Sequence, residues 1–326
     1  MPRPDAMVKF RAGSGQRFLM TVDTEEEFDW TKPFGRTSHA VDTIPRLRKF
    51  QQFCESYGVV PVYLVDYPIA NSPMAAEVLN QALAAGKAEV GIQLHPWVNP
   101  PHEEEVCEFN SFSGNLPYDL ERAKLFTLRD TIIKNFKQIP LIYRAGRYGT
   151  GPNTGKILRD AGVAIDTSAR ARFDYSGTGG PNYRGLPIKP WWVDGSKSLM
   201  ELPLTTVFWG PLRKYGSWLY PMLWRWPRLR GALAKFGLLE RIPMTPEGVT
   251  INEAIRGLDI AIEEQLPIII LSFHSPSLYP GFTPYVRDEA DLDDLYAWWR
   301  TIFDYLTAHG VRPTSVKDIM QSVELA

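Results

Sequence analysis

The sequence predicts an α/β fold, a parallel sheet or barrel whose strands are joined through helices. Three observations lead there. Short apolar runs alternate with longer stretches of helical period across residues 18–165. Polar residues of distinctive type follow almost every apolar run, as they do where strand ends carry a site. The chain is 326 residues long, 44% apolar and 22% charged, enough for a full core and for one barrel-type domain spanning 1–326 with insertions.

Taken in order, residues 18–22 (Phe-Leu-Met-Thr-Val) form the first strand, too short and too apolar for a surface helix. Asp23, Glu25, Glu26, Glu27 and Asp29 follow it at once. Thr43 opens a helix with Ile44, Leu47, Phe50, Phe53 and Cys54 on one face, closed by Gly58. Residues 59–65 read as the second strand, with Pro61 near its start. A helix over 72–85 ends at Gly86, and strand 89–94 runs into His95-Pro-Trp-Val-Asn-Pro-Pro-His102. Residues 118–136 make a long helix, 141–143 a strand, 153–160 a helix and 163–165 a strand before Asp166-Thr-Ser168. The alternation then breaks into a loop over 169–187 and two short strands, 191–193 and 199–203, across Asp194-Gly195. It resumes with helix 252–265, the buried strand 268–273 followed by His274, and a last helix over 292–309.

Residues 206–240 stand apart. They hold Trp209, Trp218, Trp224 and Trp226 and six basic residues, and no acid precedes Glu240. Three readings suit this composition: a lid over the site, a peripheral attachment to a membrane surface, or an insertion packed on the barrel. Pro211, Pro221 and Pro227 rule out one continuous helix.

A net charge of −1 points to neither nucleic acid nor an acidic surface as the partner of the whole chain. The two cysteines, Cys54 and Cys107, make neither a disulfide framework nor a thiolate metal site. The N-terminus lacks an apolar leader and no run is long enough to span a bilayer, so a soluble cytoplasmic protein is the expectation.

Asp23 with Glu25, His95 with Asn99, Arg144, Asp166 and His274 each follow a predicted strand. Their order, Thr-Val-Asp-x-Glu, Glu-x-Gly-x-x-x-His-Pro-Trp, Tyr-Arg-Ala-Gly-Arg-Tyr-Gly, Asp-Thr-Ser and Leu-Ser-Phe-His, resembles the NodB-homology polysaccharide deacetylases over about residues 16–280. The resemblance implies a distorted (β/α) barrel of seven to eight strands, a carbohydrate substrate and a divalent metal ion, with zinc the first expectation. It casts Asp23 as catalytic base, Arg144 as the partner that orients it and His274 as general acid. Glu25 becomes a metal ligand, with Thr24 as spacer. Where the family has His-x-x-x-His, this chain has Gln93 and Trp97; His95 lies between them and Asn99 four residues on, and these two are the expected remaining ligands. Gln93, Trp97, Tyr148 and Asp166 are expected on the substrate side, with a backbone N–H near Tyr148 as oxyanion donor. Glu26, Glu27 and Asp29 are read as solvated charge. Two alternatives remain open: an amidohydrolase for a small non-sugar amide or ureide, and a degenerate barrel that binds a glycan without hydrolysing it.

Overall fold

The computed structural model describes residues 2–29, 32–37 and 39–324. Its elements run β1 (Arg17–Thr24), α1 (Leu47–Ser56), β2 (Val62–Val65), α2 (Tyr67–Ala70), α3 (Pro73–Ala84), β3 (Glu89–Leu94), α4 (Tyr118–Phe136), β4 (Ile142–Ala145), α5 (Thr154–Asp160) and β5 (Ile165–Asp166). Then come β6 (Trp191–Trp192), β7 (Met200–Glu201), β8 (Thr206–Trp209), α6 (Gly216–Leu223), α7 (Pro227–Lys235), β9 (Glu240–Pro243), α8 (Ile251–Glu263), β10 (Ile268–His274), α9 (Glu289–Ala308), β11 (Arg312–Pro313) and α10 (Val316–Ser322).

The main sheet has the order β10-β1-β2-β3-β4-β5-β7-β6, with β11 beside the start of β1. Every pair along it is parallel except β6 with β7. The sheet curls without closing. β10 at one end and β7, next to the other, are linked through the chain after β7: Ile270 donates its N–H to Thr205 Oγ1, Met244 to the Thr205 carbonyl and Ser272 to the Met244 carbonyl. The architecture is thus a distorted, open (β/α) barrel, within the parallel sheet or barrel that the strand–helix alternation predicts and of the kind that the family resemblance implies.

Side-chain alternation along each strand explains where the core ends and the site begins. On β1 the even residues Phe18, Met20 and Val22 pack outward against helices, while Leu19 faces the barrel interior. Leu64, Ile142, Ile165, Met200, Ile268 and Ile270 join Leu19 in that interior cluster. Each such side chain, taken fully out of water, contributes about 1.5–3 kcal/mol. One step further along the same inward rows come Thr21, Asp23, Gln93, Arg144, Ser272 and His274. The apolar rows thus form a floor, and the polar groups stand on it at the C-terminal ends of the strands.

Several local differences from the sequence expectation have plain causes. β2 starts at Val62 because Pro61 has no N–H to give a ladder. Asp66 caps a short helix, α2, accepting from the N–H of Ile69. β6 and β7 pair across 193–199, a wider connection than a turn at Asp194-Gly195, in which Asp194 accepts from the N–H of Ser196 and Leu199. The 206–240 segment is a two-stranded antiparallel ribbon, β8 with β9, carrying α6 and α7 at its far end. Its tryptophans do not all pack down: Trp218, Trp224 and Trp226 are exposed.

Candidate functional site

β1 and β10 are paired so that Asp23 lies directly opposite His274. On the other side, β3 and β4 bring Gln93 opposite Arg144. Arg144 is fully buried and its Nη1 donates to Asp23 Oδ1. Its Nη2 donates to Thr21 Oγ1 at 3.0 Å and its Nε to the Thr167 carbonyl at 3.2 Å, so the fork cannot rotate away. Asp23 Oδ2 lies 3.7 Å from His274 Nε2.

His274 is itself held. Its Nδ1 is 2.6 Å from Glu247 Oε2, and its backbone N–H donates to Glu247 Oε1 at 3.1 Å. Ser277 Oγ donates to the same Oε1 at 2.7 Å. Burial disfavours the imidazolium, but Glu247, Glu25 and Asp23 outweigh it and carry the His274 pKa up to about 10. Burial pushes Glu247 the other way from its partners, and His274 with Ser277 brings its carboxyl below the ordinary range. Glu247 sits in the Thr-Pro-Glu-Gly turn after β9, and nothing in the sequence singled it out.

The acids after β1 differ most from expectation. Glu25, Glu26 and Glu27 are all buried, at 3%, 1% and 8% exposure. The reading of Glu26 and Glu27 as solvated charge is overturned. Glu26 Oε2 lies 2.8 Å from His95 Nδ1, and Trp97 Nε1 donates to Glu26 Oε1 at 2.9 Å. The Glu26 N–H donates to Asp66 Oδ2 at 2.7 Å. Glu27 accepts the N–H groups of Asp42 and Thr43 and so anchors the entry to α1. Among the four acids only Asp29 is exposed.

Of the expected ligands, Glu25 and His95 converge: Glu25 Oε2 is 3.5 Å from His95 Nε2. Asn99 does not join them. Its amide nitrogen donates to the carbonyls of Pro100 and Lys124, bracing the loop, and it is not among the residues that line the cavity. Trp97 and Asp166 also fall outside that lining. Trp97 stacks on the His95 ring with centroids 4.5 Å apart, and Asp166 accepts from the Ser168 N–H at 3.0 Å beside Glu201. Both brace residues around the cavity without lining it. His102 is exposed on the following loop.

The donors present fit a divalent cation on the cavity side. Gln93 Nε2 donates to Glu25 Oε2 at 3.2 Å, and its Oε1 is buried without a partner. Burial, reinforced by Glu26 and Asp23 against the pull of His274 and His95, raises the Glu25 pKa to about 8. Glu25 Oε2 and His95 Nε2 therefore face each other across 3.5 Å with the Gln93 amide beside them and the cationic His274 nearby, while Glu26 steadies the imidazole from behind. Glu26, Asp66 and His95 form a second buried group with ligand atoms within 4.8 Å of one another. There each carboxylate oxygen already accepts a hydrogen bond or faces His95: Glu26 from Trp97, Asp66 from the N–H groups of Ile69 and Glu26. The cavity-side set is the one with an unmet acceptor.

These groups open into a cavity of about 360 Å³ lined by Asp23, Glu25, Gln93, His95, Glu247 and His274, with Phe28, Tyr148, Tyr175, Phe282 and Tyr285 as aromatic walls. Arg170 lines it as well, its Nη1 donating to the Tyr175 hydroxyl at 3.2 Å. Arg147 and Tyr148 have φ of 52° and 61°, left-handed values that cost about 1 kcal/mol or more each in a non-glycine residue. Gly146 just before them is obligatory: a Cβ there would lie 2.5 Å from His95 Cδ2 and from the Leu94 carbonyl oxygen.

No family model matches the sequence, and no curated protein matches it. Solved structures do. Puue allantoinase aligns over 99% of this chain and 97% of its own at 12% identity and a TM-score of 0.53. A 4-alpha-glucanotransferase from Thermococcus litoralis aligns over 94% of this chain at 13% identity and a TM-score of 0.51, and the chain spans 39% of that enzyme's length. A protein from Mycobacterium smegmatis assigned as a polysaccharide deacetylase aligns over 97% of this chain and 98% of its own at 17% identity and a TM-score of 0.48. At such identities the likeness is one of fold. The chain has a distorted (β/α)-barrel fold, as its sheet order and the alignment with the allantoinase over nearly the whole of both chains show.

Proposed function

We propose that this chain is a metal-dependent hydrolase that removes the N-acetyl group from an acetamido-sugar of a polysaccharide or glycan precursor. One observation carries the reading. A carboxylate fixed by an arginine and an imidazole fixed by a carboxylate meet, 3.7 Å apart, inside a cavity. Asp23 keeps Oδ1 on Arg144 and has Oδ2 free to take a proton from water. His274 holds one proton at Nδ1 against Glu247, and with its pKa near 10 it holds a second at Nε2 at neutral pH. That second proton goes to the leaving amine, and water's oxygen goes to the acyl carbon, giving acetate and the free amino sugar. A divalent ion held by Glu25, His95 and Gln93 would polarise the acetamide carbonyl and acidify the attacking water. The aromatic walls offer apolar faces to a sugar ring.

A second reading keeps the site and changes the substrate to a small non-sugar amide or ureide. The cavity favours it in one respect, since about 360 Å³ is near the lower end of ligand pockets. A panel of N-acetylhexosamines, their short oligomers and cyclic ureides separates the two. Acetate release from the sugars supports the deacetylase. Turnover of ureides alone would replace it.

A further inference from the structure

The ribbon and helices between β8 and β9 contribute no group to the chemistry above. Phe208, Leu223 and Leu239 form a small buried cluster there, with Leu212, Leu219 and Leu233 packed on it. That cluster occupies the inward-facing side chains. The outward ones are strongly apolar: Trp218 is 68% exposed, Trp226 64% and Phe236 74%, and Met222, Trp224 and Leu229 are exposed as well. Helical spacing aligns Trp218 with Met222 on α6; Leu229 lies on α7, and Trp226 and Phe236 flank that helix at its two ends. Scattered apolar residues on a surface need no explanation, but a contiguous group on one appendage does.

The charge of the same segment narrows the choice of partner. Between Gly210 and Leu239 stand Arg213, Lys214, Arg225, Arg228, Arg230 and Lys235, with no acid, in a chain whose net charge is −1. Arg213 pairs with Glu263 at 2.8 Å. Among the described residues, Lys214, Arg225, Arg228, Arg230 and Lys235 have no carboxylate within ion-pair distance; Arg230 lies over the Trp224 ring at 4.6 Å. Arg228 and Lys235 are seven residues apart, so a cationic row runs along α7. The two helices have 8 and 9 residues, and no helix of the described residues is long and apolar enough to cross a bilayer. Tryptophan and phenylalanine next to unpaired cations, on short helices, match the boundary between lipid headgroups and acyl chains.

We propose that the β8–β9 segment docks on an anionic bilayer surface, with Trp218, Trp226 and Phe236 entering the interface and Arg225, Arg228 and Lys235 meeting the headgroups. The segment is also coupled to the cavity wall. Arg241 on β9 lies 3.5 Å over the Phe173 ring and 5.6 Å from the Trp224 ring, and Phe173 stacks on Tyr175, which lines the cavity. A docked segment therefore holds the cavity close to the membrane, where a lipid-carried substrate would be presented. The docking itself stands independently of the hydrolase reading, since it rests on none of the site residues.

The test is flotation of the full chain with vesicles of phosphatidylcholine alone and of phosphatidylcholine mixed with phosphatidylglycerol, with light scattering of the protein alone. The expected result is binding at least ~10-fold tighter to the anionic vesicles, weakening with salt. Trp218→Ser/Trp226→Ser/Phe236→Ser should abolish it, and Arg225→Glu/Arg228→Glu/Lys235→Glu should abolish it separately, both with an unchanged melting curve. Equal failure to bind both vesicle types would overturn the proposal. So would a wild-type dimer that the triple serine variant converts to monomer without any vesicle binding, because the patch would then belong to a second copy of the chain.

Discussion

Replacing Glu247 with Gln isolates the part of the site that the sequence did not announce. The change keeps the shape and leaves an acceptor for Ser277 and for the His274 backbone N–H, but removes the charge facing Nδ1 at 2.6 Å. Burial then acts on the imidazole against only Glu25 and Asp23. The rise of the His274 pKa from 6.5 to about 10 would amount to nearly 5 kcal/mol at ~1.4 kcal/mol per unit. The side chain is 35% exposed, so water screens much of this. Assigning Glu247, the largest favourable contribution, a screened ~2 kcal/mol predicts loss of about 30-fold of the imidazolium's population advantage. The assay is a ¹⁵N-histidine NMR titration together with acetate release against pH. His274 should titrate above pH 9 in the wild type and more than one unit lower in Glu247→Gln. The alkaline limb of the rate profile should move by the same amount. A variant that loses activity while His274 keeps its titration would refute the proposed electrostatic role and leave Glu247 a packing residue.

Gly146→Ala should displace His95, because its Cβ would meet Cδ2 of that ring at 2.5 Å; we expect a stability loss of about 1–3 kcal/mol in denaturant melts and weaker divalent-ion binding by calorimetry. Glu25 gives a pH signature. Its pKa rises from 4.5 to about 8 on folding, so the protonated form is favoured by the fold, the associated stability is intact below pH 4.5, and it is lost as pH rises through about 8. Metal-free protein should therefore lose Tm between pH 5 and 8 more steeply than Glu25→Gln does, and an added divalent ion should restore more of it at pH 8 than at pH 5. Identical Tm slopes with and without the substitution would contradict the account of that carboxyl.

The core of the barrel was legible because its signal is local. Short unbroken apolar runs on β1 and β10, a period near 3.6 on α1, and glycine or proline at the joins suffice to place the strands. The placement of Asp23, Arg144 and His274 at one end of the sheet was legible for the same reason, since each lies at or near the end of a readable strand. Glu26 was not, because its burial depends on the chain turning after Thr24 so that its N–H meets Asp66, forty residues away. The signal that could have found it was Asp66 itself, the N-cap before Tyr-Pro, at the end of the neighbouring strand. Glu247 follows β9, a strand hidden in the Trp- and Arg-rich stretch whose composition masks its alternation. Asn99 was misplaced because spacing alone carried it: four residues from His95 would share a face on a helix, but residues 96–99 make one 3₁₀ turn into an extended loop.

The central claim is that Asp23 and His274 form one acid–base pair for amide cleavage, and Asp23→Asn tests it most directly. The measurement is acetate released from an N-acetylated sugar, with divalent ion present, by wild type and by a variant whose melting curve shows it folded. The wild type should release equimolar acetate and free amine, and Asp23→Asn should lose at least ~10²-fold of that rate. Release that persists undiminished in the folded variant would contradict it.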